Sequence, residues 1–329
     1  SPSRGLGDVY KRQIINFMRI LVTGAFGYLG GRIAQSLAEE GHQVVPGSRT
    51  EKIIPNWLQQ TEVVELVWHD KDSLQNACRN SDVVIHTAGM NAQDCALDPI
   101  GALDFNGIAT AMLVQASKAV GVKKFIYLST THVYCSPLVG RITEESCPVN
   151  RHPYATSHVA GENAVLSRVN NEDNFRGIVL RLSNSVGTPV HRHANCWMLV
   201  INNFCRQVIE SGEIVVNSPP NTERNYFPIT LLCKTMNKIV GSSEIESTII
   251  NVSSSQGSSL QEVANIIKIR SASLFDFEPK VIFKGNNVMS RIPHLFISNA
   301  KLKKLVKVET NIISEIDVLL MNCKKWFSV

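Results

Sequence analysis

The most constraining feature of the chain is the alternation of short apolar runs with longer helical patterns over its first 187 residues. The apolar runs do not alternate with polar residues, which is typical of strands covered on both faces of a sheet. Strands that alternate with helices form parallel β-α-β units. The sequence therefore predicts an α/β fold with a doubly wound parallel sheet. The predicted strands are 18–23, 43–46, 63–67, 83–86, 124–129 and 176–182, and the predicted helices are 30–40, 72–79, 100–120 and 153–169.

After Gly187 this rhythm ends, and Pro, Asn and Ser become common. A smaller C-terminal lobe is expected there, with helices at 197–209, 231–240 and 259–269 and strands at 213–216 and 248–252. We predict a first domain at 18–187 and a lobe at 188–329, with the segment 225–253 returning to the first domain.

Composition excludes several classes of protein. Hydrophobic residues make up 44% and charged residues 19% of the 329 residues, so a large core is available and whole-chain disorder is excluded. No run of about 18 apolar residues occurs, so we expect no membrane-spanning helix. The net charge of +5 is too small and dispersed to predict a nucleic-acid partner.

Cysteine and histidine usage gives no sign of disulfides or metal. The eight cysteines include no CxxC pair, and a chain of this length does not need disulfides, so a reducing, cytoplasmic setting is expected. His191 and His193 lie two positions apart without a third ligand nearby. No metal site is therefore predicted.

Residues 1–17 are predicted to be a non-native or disordered tail. The segment Asp8-Val-Tyr-Lys-Arg-Gln13 resembles the in-frame translation of a sequencing adapter, which makes Met18 a plausible start. A natural disordered tail is the alternative.

A glycine-rich loop connects the first predicted strand to the first helix. Glycines 24, 27 and 30 give the spacing GxxGxxG. In such a loop the first glycine permits a tight turn, the second lets a pyrophosphate approach, and the third packs helix against strand. The N–H groups at the helix N-terminus then face the phosphate charge. The sequence predicts a dinucleotide site formed by Gly24, Phe26, Gly27, Tyr28, Leu29 and Gly30.

The end of the second strand bears on the choice between NAD and NADP. Ser48 stands where an acid commonly holds the ribose hydroxyls, and Arg49 follows it. A small hydroxyl beside a guanidinium suits a 2′-phosphate, which favours NADP over NAD. The alternative is a turn with an exposed arginine.

Further motifs follow the glycine loop in a recognisable order. They are Asp82–Gly89, Asn106-Gly107, Leu128–Tyr134, Tyr154–His158, Leu180–Asn184 and Arg224–Phe227. Over roughly residues 18–310 the chain thereby resembles the extended short-chain dehydrogenase/reductase family, the NAD(P)-dependent nucleotide-sugar epimerases and dehydratases. The resemblance implies a Rossmann-type sheet, with a nucleotide-sugar bound between it and a C-terminal substrate lobe.

The resemblance implies that Thr130 and Tyr154 are catalytic. The Thr130 hydroxyl would hydrogen-bond the sugar oxygen that gains or loses a proton, and Tyr154 would be the general acid/base. The ordinary pKa of a phenol is about 10, so work as a base near neutral pH requires nearby positive charge. Helix packing for Tyr154 and a plain strand end for Thr130 are the alternatives.

His158 departs from the family pattern, which has lysine four residues after the tyrosine. Positions i and i+4 share a helix face, so the side chain still points to the site. Histidine, with an ordinary pKa of about 6.5, can hydrogen-bond a ribose hydroxyl but carries charge only in part. The active site is therefore retuned, weakened or no longer catalytic.

Several other roles are implied by the resemblance alone. Asp70, Ala88 and Asn106 are expected at the cofactor, and Thr131, Asn184 and Arg224 at the nucleotide-sugar, where arginine suits a diphosphate. A surface salt bridge is the alternative for Arg224. His86 is expected to be structural. Leu231 stands about where an aspartate often follows the Arg224 motif.

Three functions stay open at this point. An epimerase, which needs only transient hydride removal and return, is the leading prediction. An NADPH-dependent keto-sugar reductase would use the same residues, and a dinucleotide- or nucleotide-sugar-binding protein without turnover is the third. A 4,6-dehydratase is disfavoured because Thr131-His132 replaces the expected Asp-Glu, although His132 as an acid/base is an alternative.

A homodimer is the expected assembly. Helices that follow Asn106 and surround Tyr154 pair into a four-helix interface in family members. The small and apolar positions expected to form it are Ala109, Leu113, Ala116, Val120, Ala160, Ala164 and Ser167.

Overall fold

Strands and helices alternate along residues 17–50, 52, 54–58, 61–167, 174–246, 248–285 and 294–328, which the computed structural model describes. The strands are β1 (Arg19–Thr23), β2 (Gln43–Ser48), β3 (Val64–Glu65), β4 (Val83–His86), β5 (Lys124–Thr130), β6 (Arg141–Ile142), β7 (Arg176–Leu182), β8 (Asn184–Val186), β9 (Glu213–Val216), β10 (Glu223–Pro228), β11 (Thr248–Val252), β12 (Gly257–Ser259), β13 (Lys280–Phe283) and β14 (Phe296–Ile297). The helices are α1 (Tyr28–Glu39), α2 (Lys71–Cys78), α3 (Ala92–Leu97), α4 (Pro99–Ala102), α5 (Thr110–Ala119), α6 (Pro153–Ser167), α7 (Val200–Ser211), α8 (Ile229–Gly241), α9 (Leu260–Phe275), α10 (Ala300–Leu305) and α11 (Ile313–Phe327). The predicted tail up to residue 16 and the end of the predicted helix at 168–169 lie outside the described residues.

A parallel sheet of seven strands, in the order β11-β7-β5-β4-β1-β2-β3, forms the centre of the molecule. Every neighbouring pair is parallel. The predicted Rossmann-type α/β fold is confirmed. Beyond the first domain, β11 joins the edge of this sheet beside β7, and α8 packs against α1.

Two apolar layers cover the two faces of the sheet. Ile20 and Val22 of β1 pack in the layer formed with α1 and α8, whereas Leu21 packs in the opposite layer with Leu113 of α5. Successive residues of β1 are therefore both buried. This explains why the apolar runs of the sequence lack polar alternation.

Several residues predicted at the dimer interface lie on one long helical run and are buried inside the chain. A π-helical segment, Leu103–Ala109, joins α4 to α5 without a break. Ala109, Leu113 and Ala116 are buried within the chain, Leu113 and Ala116 in the layer on the sheet, so the assignment of these three residues to an interface is wrong. The apolar residues exposed near them are Leu97, Ile100, Leu103 and Ile108.

The smaller lobe has a core of its own, formed by α7, α9 and α11 with β9 and β13. A three-stranded sheet, β12-β10-β8, lies beside the end of β7. Among the described residues, no helix is long and apolar enough to span a bilayer, and no group of three potential metal ligands occurs. The eight cysteines are unpaired.

Candidate active site

The glycine loop lies at the carboxyl end of β1, the edge at which ligands bind in open α/β sheets. Gly24 has φ +71°, a left-handed conformation that favours glycine. A Cβ there would lie 2.7 Å from Thr87 Oγ1 and 2.9 Å from the Ala88 nitrogen. The loop is therefore pressed against the segment 87–89 that follows β4.

Gly27 and Gly30 meet different constraints. Gly27 precedes the first residue of α1, and a Cβ there would contact only the Gly24 oxygen, at 3.2 Å, with open space beyond. At Gly30 a Cβ would collide with the Gly24 carbonyl and with Thr87 Oγ1. Close packing therefore requires a glycine at position 30, whereas the missing side chain of Gly27 leaves space in front of the N-terminus of α1.

His86 has a structural role beneath this loop, as the sequence predicts. It is buried, with Nδ1 2.7 Å from Thr23 Oγ1 and Nε2 3.0 Å from Thr110 Oγ1. Thr110 Oγ1 donates to the Asn106 carbonyl, so it accepts from His86 Nε2. Burial lowers the pKa of His86 to about 3, and the ring is neutral.

Thr130 and Tyr154 come together at the carboxyl edge of the sheet. Thr130 ends β5 and Tyr154 lies in the first turn of α6, so that the Thr130 hydroxyl lies close enough to the Tyr154 phenol to influence its pKa. Burial raises the pKa of Tyr154 to about 12, and the Thr130 hydroxyl acts in the opposite direction. No cationic side chain of the described residues contributes to this balance, so the phenol is protonated at neutral pH.

His158 lies one turn further along α6, with its ring edge-on to that of Tyr154 at a centroid distance of 4.6 Å. Its Nδ1 is 2.8 Å from the Tyr127 hydroxyl. Burial lowers the pKa of His158 to about 4, so it is neutral near pH 7. The positive charge that a lysine would provide here is absent.

Asn106 lies in the π-helical segment, a kind of helical irregularity often found at functional sites. The side chain is buried and accepts from the Met90 nitrogen at 2.9 Å, while it donates to Ser157 Oγ at 3.0 Å. Asn106 thereby ties the loop after β4 to α6. Its amide is used inside the protein, next to the predicted cofactor residue Ala88.

The residues predicted at the adenosine end of the cofactor have different surroundings: Arg49 is exposed, and Asp70 caps a helix. Ser48 ends β2, and the exposed Arg49 places its guanidinium carbon 5.6 Å from the centre of the Phe105 ring. Asp70 caps α2, with Oδ1 accepting from the Ser73 nitrogen at 2.9 Å. A structural role therefore occupies one oxygen of the predicted adenine-contacting acid.

Two buried polar atoms without a described partner mark the predicted substrate side. They are Thr131 Oγ1, directly after Thr130, and Arg224 Nε on β10. Burial and the nearby Arg224 charge lower the pKa of His132. A cationic group with an unused donor and a free hydroxyl could bind an anionic, hydroxylated ligand.

Asn184 and Leu231, two further positions in the family motifs, both have structural contacts within the chain. Asn184 Nδ2 donates to the Asn225 carbonyl at 2.8 Å, where β8 runs beside β10. Leu231 is buried in the layer between α8 and the sheet. The position at which an aspartate often occurs in the family is therefore a core position here.

A family model described as NAD dependent epimerase/dehydratase matches residues 20–252, more than half of the chain. The chain belongs to this epimerase/dehydratase family. The UDP-glucose 4-epimerase of Haemophilus influenzae is 30% identical over 183 residues, covering 52% of this chain and 54% of that protein. The dTDP-4-dehydrorhamnose reductase of Burkholderia thailandensis is 37% identical over 153 residues, 45% of each chain. The chain thus spans about half the length of these curated relatives.

Solved structures with the same fold extend over almost the whole chain. MoeE5 in complex with UDP-glucose and NAD has a TM-score of 0.77 at 18% identity, covering 94% of this chain and 100% of that one. RMD from Pseudomonas aeruginosa complexed with NADPH has a TM-score of 0.74 at 23% identity, covering 94% and 99%. At these identities the likeness concerns the fold.

A buried ion pair, which sequence reasoning missed, anchors α6 in this member of the epimerase/dehydratase family. Arg181 of β7 donates to Glu162 from Nε at 2.9 Å and from its terminal nitrogen at 2.6 Å. Ser129 of β5 donates to the same carboxylate. Since Glu162 lies two turns beyond Tyr154, the pair fixes how α6 sits on the sheet. The Arg181 position within a strand of apolar residues was the available signal.

His191 contacts the glycine loop, which its sequence position did not predict. Its Nε2 lies 2.9 Å from the Phe26 carbonyl and donates to it. The segment after β8 thereby binds the glycine loop of the epimerase/dehydratase fold. His193 is close to His191, with ring centres 6.4 Å apart.

Proposed function

We propose that the chain binds a nicotinamide dinucleotide and a nucleotide-sugar and reduces a keto-sugar, with Tyr154 as the proton donor. The observation that carries this proposal is the Thr130–Tyr154 pair beside the glycine loop, with a neutral His158 in place of a cation. A phenol held in its protonated form suits a step that begins with proton donation.

The proposed step balances a hydride with a proton. The bound dinucleotide would supply the hydride to the carbonyl carbon. Tyr154 donates its phenolic proton to the carbonyl oxygen, which becomes a hydroxyl, and Thr130 holds that oxygen by a hydrogen bond. The proton on Tyr154 is then restored from solvent.

The residues present fit both ligands. The open space at Gly27, directly before the N-terminus of α1, can admit a pyrophosphate. Thr131 and Arg224 have unused polar atoms for the sugar and the diphosphate, between the domain 18–187 and the lobe 188–329.

Ser48 and Arg49 favour NADP over NAD as the cofactor, and Arg49→Ala should weaken the binding of NADP selectively. Equal loss for NAD and NADP would contradict the 2′-phosphate role.

An epimerase is the second candidate, favoured by the similarity to UDP-glucose 4-epimerase. Epimerisation begins with removal of a proton from a sugar hydroxyl. The raised pKa of Tyr154 opposes that step and favours reduction.

The deciding experiment is incubation of the purified chain with UDP-, GDP- and dTDP-sugars and their keto forms, with and without NADPH. Consumption of NADPH with formation of a reduced sugar supports the reductase. Interconversion of sugars without net NADPH consumption supports the epimerase. Dinucleotide binding without any product supports a non-catalytic binding protein.

A homodimer through the exposed apolar residues of α3, α4 and the π-helical segment completes the proposal. Leu97 and Ile100 are 85% and 84% exposed, next to Leu103 and Ile108. Light scattering should give twice the chain mass at micromolar concentration, and Ile100→Asp should give the monomer. A monomeric native chain would refute this assembly.

A reducing, cytoplasmic setting is proposed because the eight cysteines are unpaired.

A further inference from the structure

Tyr127 lies directly beneath His158, in the middle of β5. The side chain is 1% exposed, and its hydroxyl lies near His158 Nδ1, the Asn106 carbonyl and the Thr110 hydroxyl. His158 Nδ1 is 2.8 Å away, and the Asn106 carbonyl oxygen is 3.4 Å away. A phenol has one proton to donate, and good hydrogen bonds from a hydroxyl are about 2.5–3.0 Å long. The proton of Tyr127 therefore goes to His158 Nδ1.

The surroundings of Tyr127 support this direction. Burial raises the pKa of its phenol well above the ordinary value, so the group stays protonated. The Asn106 carbonyl already accepts from Thr110 Oγ1 at 2.8 Å. With Nδ1 acting as an acceptor, the single proton of the neutral His158 ring resides on Nε2.

The Cε1 edge of His158 lies next to the segment 87–89 that follows β4. A Cβ built on the exposed Gly89 would lie 3.9 Å from His158 Cε1, the atom between the two ring nitrogens. Gly89 belongs to the segment 87–89, on which the glycine loop is pressed. Among the described residues, none hydrogen-bonds His158 Nε2.

We propose that Tyr127 is a positioning residue that fixes His158 as the Nε2–H tautomer, so that His158 offers a neutral donor to a ribose hydroxyl of the bound dinucleotide. The proposal rests on the dinucleotide site of the proposed function. The Tyr127–His158 pair thus replaces an ammonium group with a directed but uncharged donor. It explains how the cleft can retain a cofactor contact without a cation.

The first test measures the tautomer and the affinity in Tyr127→Phe. Imidazole ¹⁵N shifts of histidine-labelled protein, with His158 assigned by its loss in His158→Gln, should report Nε2–H in the native chain. In Tyr127→Phe the shifts should move toward a mixture of tautomers. The Kd for the dinucleotide, measured by calorimetry without any substrate, should rise about fivefold, as expected for one misdirected hydrogen bond.

Tyr134→Phe is the matched control. Tyr134 is equally buried, and its hydroxyl donates to Asn251 Oδ1 at 2.7 Å, a bond outside the His158 pair. Its loss should lower the melting temperature as Tyr127→Phe does, but it should leave the Kd and the His158 shifts unchanged. A general loosening of the fold would instead raise the Kd in both variants and overturn the proposal.

Two substitutions of His158 separate its ring nitrogens. The amide nitrogen of glutamine can reach the place of Nε2, whereas asparagine reaches only that of Nδ1. His158→Gln should keep dinucleotide affinity within about threefold of native, and His158→Asn should lose about tenfold. An Nδ1–H tautomer, an unchanged Kd in Tyr127→Phe, or equal loss in both His158 variants would overturn the role of Tyr127. Absence of dinucleotide binding by the native chain would overturn the proposed function as well.

Discussion

The glycine loop and the first turns of α6 meet at the segment 87–89, but they are built in different ways. The glycine loop is shaped by backbone, because Gly24 and Gly30 leave no room for a Cβ. The α6 side is shaped by side chains: Thr130 lies beside Tyr154, and Tyr127 binds His158. A ligand cleft can therefore keep one wall constant while the electrostatics of the other wall change.

The two walls also differ in charge. An N-terminus of a helix carries a partial positive charge whatever its side chains are, so the glycine loop keeps its attraction for phosphate. On the α6 side the charge depends on single residues, and both His158 and Tyr154 are neutral near pH 7. Binding and chemistry should therefore respond to different substitutions.

Tyr154→Phe should have the largest effect, because it removes the proposed proton donor and leaves the glycine loop untouched. We expect turnover of the accepted sugar nucleotide to fall about 10³-fold, within the range for loss of a general acid. The dinucleotide Kd, measured by calorimetry, should stay within about twofold. Tyr134→Phe, which removes a comparable hydroxyl elsewhere, should keep its turnover. If the native chain and Tyr154→Phe are equally inactive on every sugar nucleotide, the chain is a non-catalytic binder.

Gly27→Val tests the opposite wall. The backbone at Gly27 has φ −85° and ψ −174°, which a valine can adopt, and the added atoms would occupy the open space before α1. We expect dinucleotide affinity to fall at least about 100-fold, since several N–H contacts to phosphate would be lost together. The melting temperature should change little. Unchanged affinity would remove the glycine loop from the binding site.

Gly30→Ala provides the contrast for that experiment. Its methyl group would collide with the Gly24 carbonyl and Thr87, so the fold itself must shift. Overpacking of this kind costs about 1–3 kcal/mol of unfolding free energy. Gly30→Ala should therefore lower stability in urea denaturation, which Gly27→Val should not.

The backbone-built parts of the molecule could be predicted from the sequence. The apolar runs placed the main strands correctly because burial on both faces leaves a direct signature. The glycine spacing likewise indicated the packing found at Gly30. The strands β8, β10, β12 and β13 were missed or not separated, since short strands carry little periodicity.

The side-chain wall was harder to predict, because its properties arise from contacts distant in the sequence. Nothing in the neighbourhood of His158 indicates that Tyr127, on another element, binds its Nδ1. The sequence alone suggested a partly charged histidine, whereas burial lowers its pKa to about 4. The assignment of Ala109, Leu113 and Ala116 to the dimer interface was wrong for a similar reason: these residues have helical spacing, but spacing does not tell which layer buries them.

Neutral His158 should make stability depend on pH. Its folded pKa of about 4 lies below the ordinary value, so between pH 6.5 and pH 4 the unfolded chain binds a proton that the native chain excludes. Stability is therefore complete above about pH 6.5 and is lost as pH falls. Between pH 7 and pH 5 the His158 contribution should be about 2 kcal/mol.

His158→Gln isolates this contribution from that of the other buried histidines, such as His86. Urea denaturation at both pH values should show a smaller loss of unfolding free energy in His158→Gln than in the native chain. An identical loss in the two proteins would mean that His158 is not buried and neutral in solution.

His158→Lys should have the smallest effect, and it sharpens the comparison by restoring a charge on one wall only. An oxidised nicotinamide ring is cationic and a reduced ring is neutral, so a lysine nearby opposes the oxidised form alone. For charges roughly 6 Å apart and an effective dielectric constant of about 20–80, the repulsion is about 0.7–3 kcal/mol. The ratio of the Kd for oxidised to that for reduced dinucleotide should therefore rise about tenfold. The same charge lowers the pKa of Tyr154, so any turnover that begins with proton removal should increase and extend to more alkaline pH.

His158→Gln, which adds no charge, should leave the Kd ratio unchanged. If the ratio does not move in His158→Lys, electrostatics at this position do not reach the cofactor, and the contrast between the two walls would be one of shape alone.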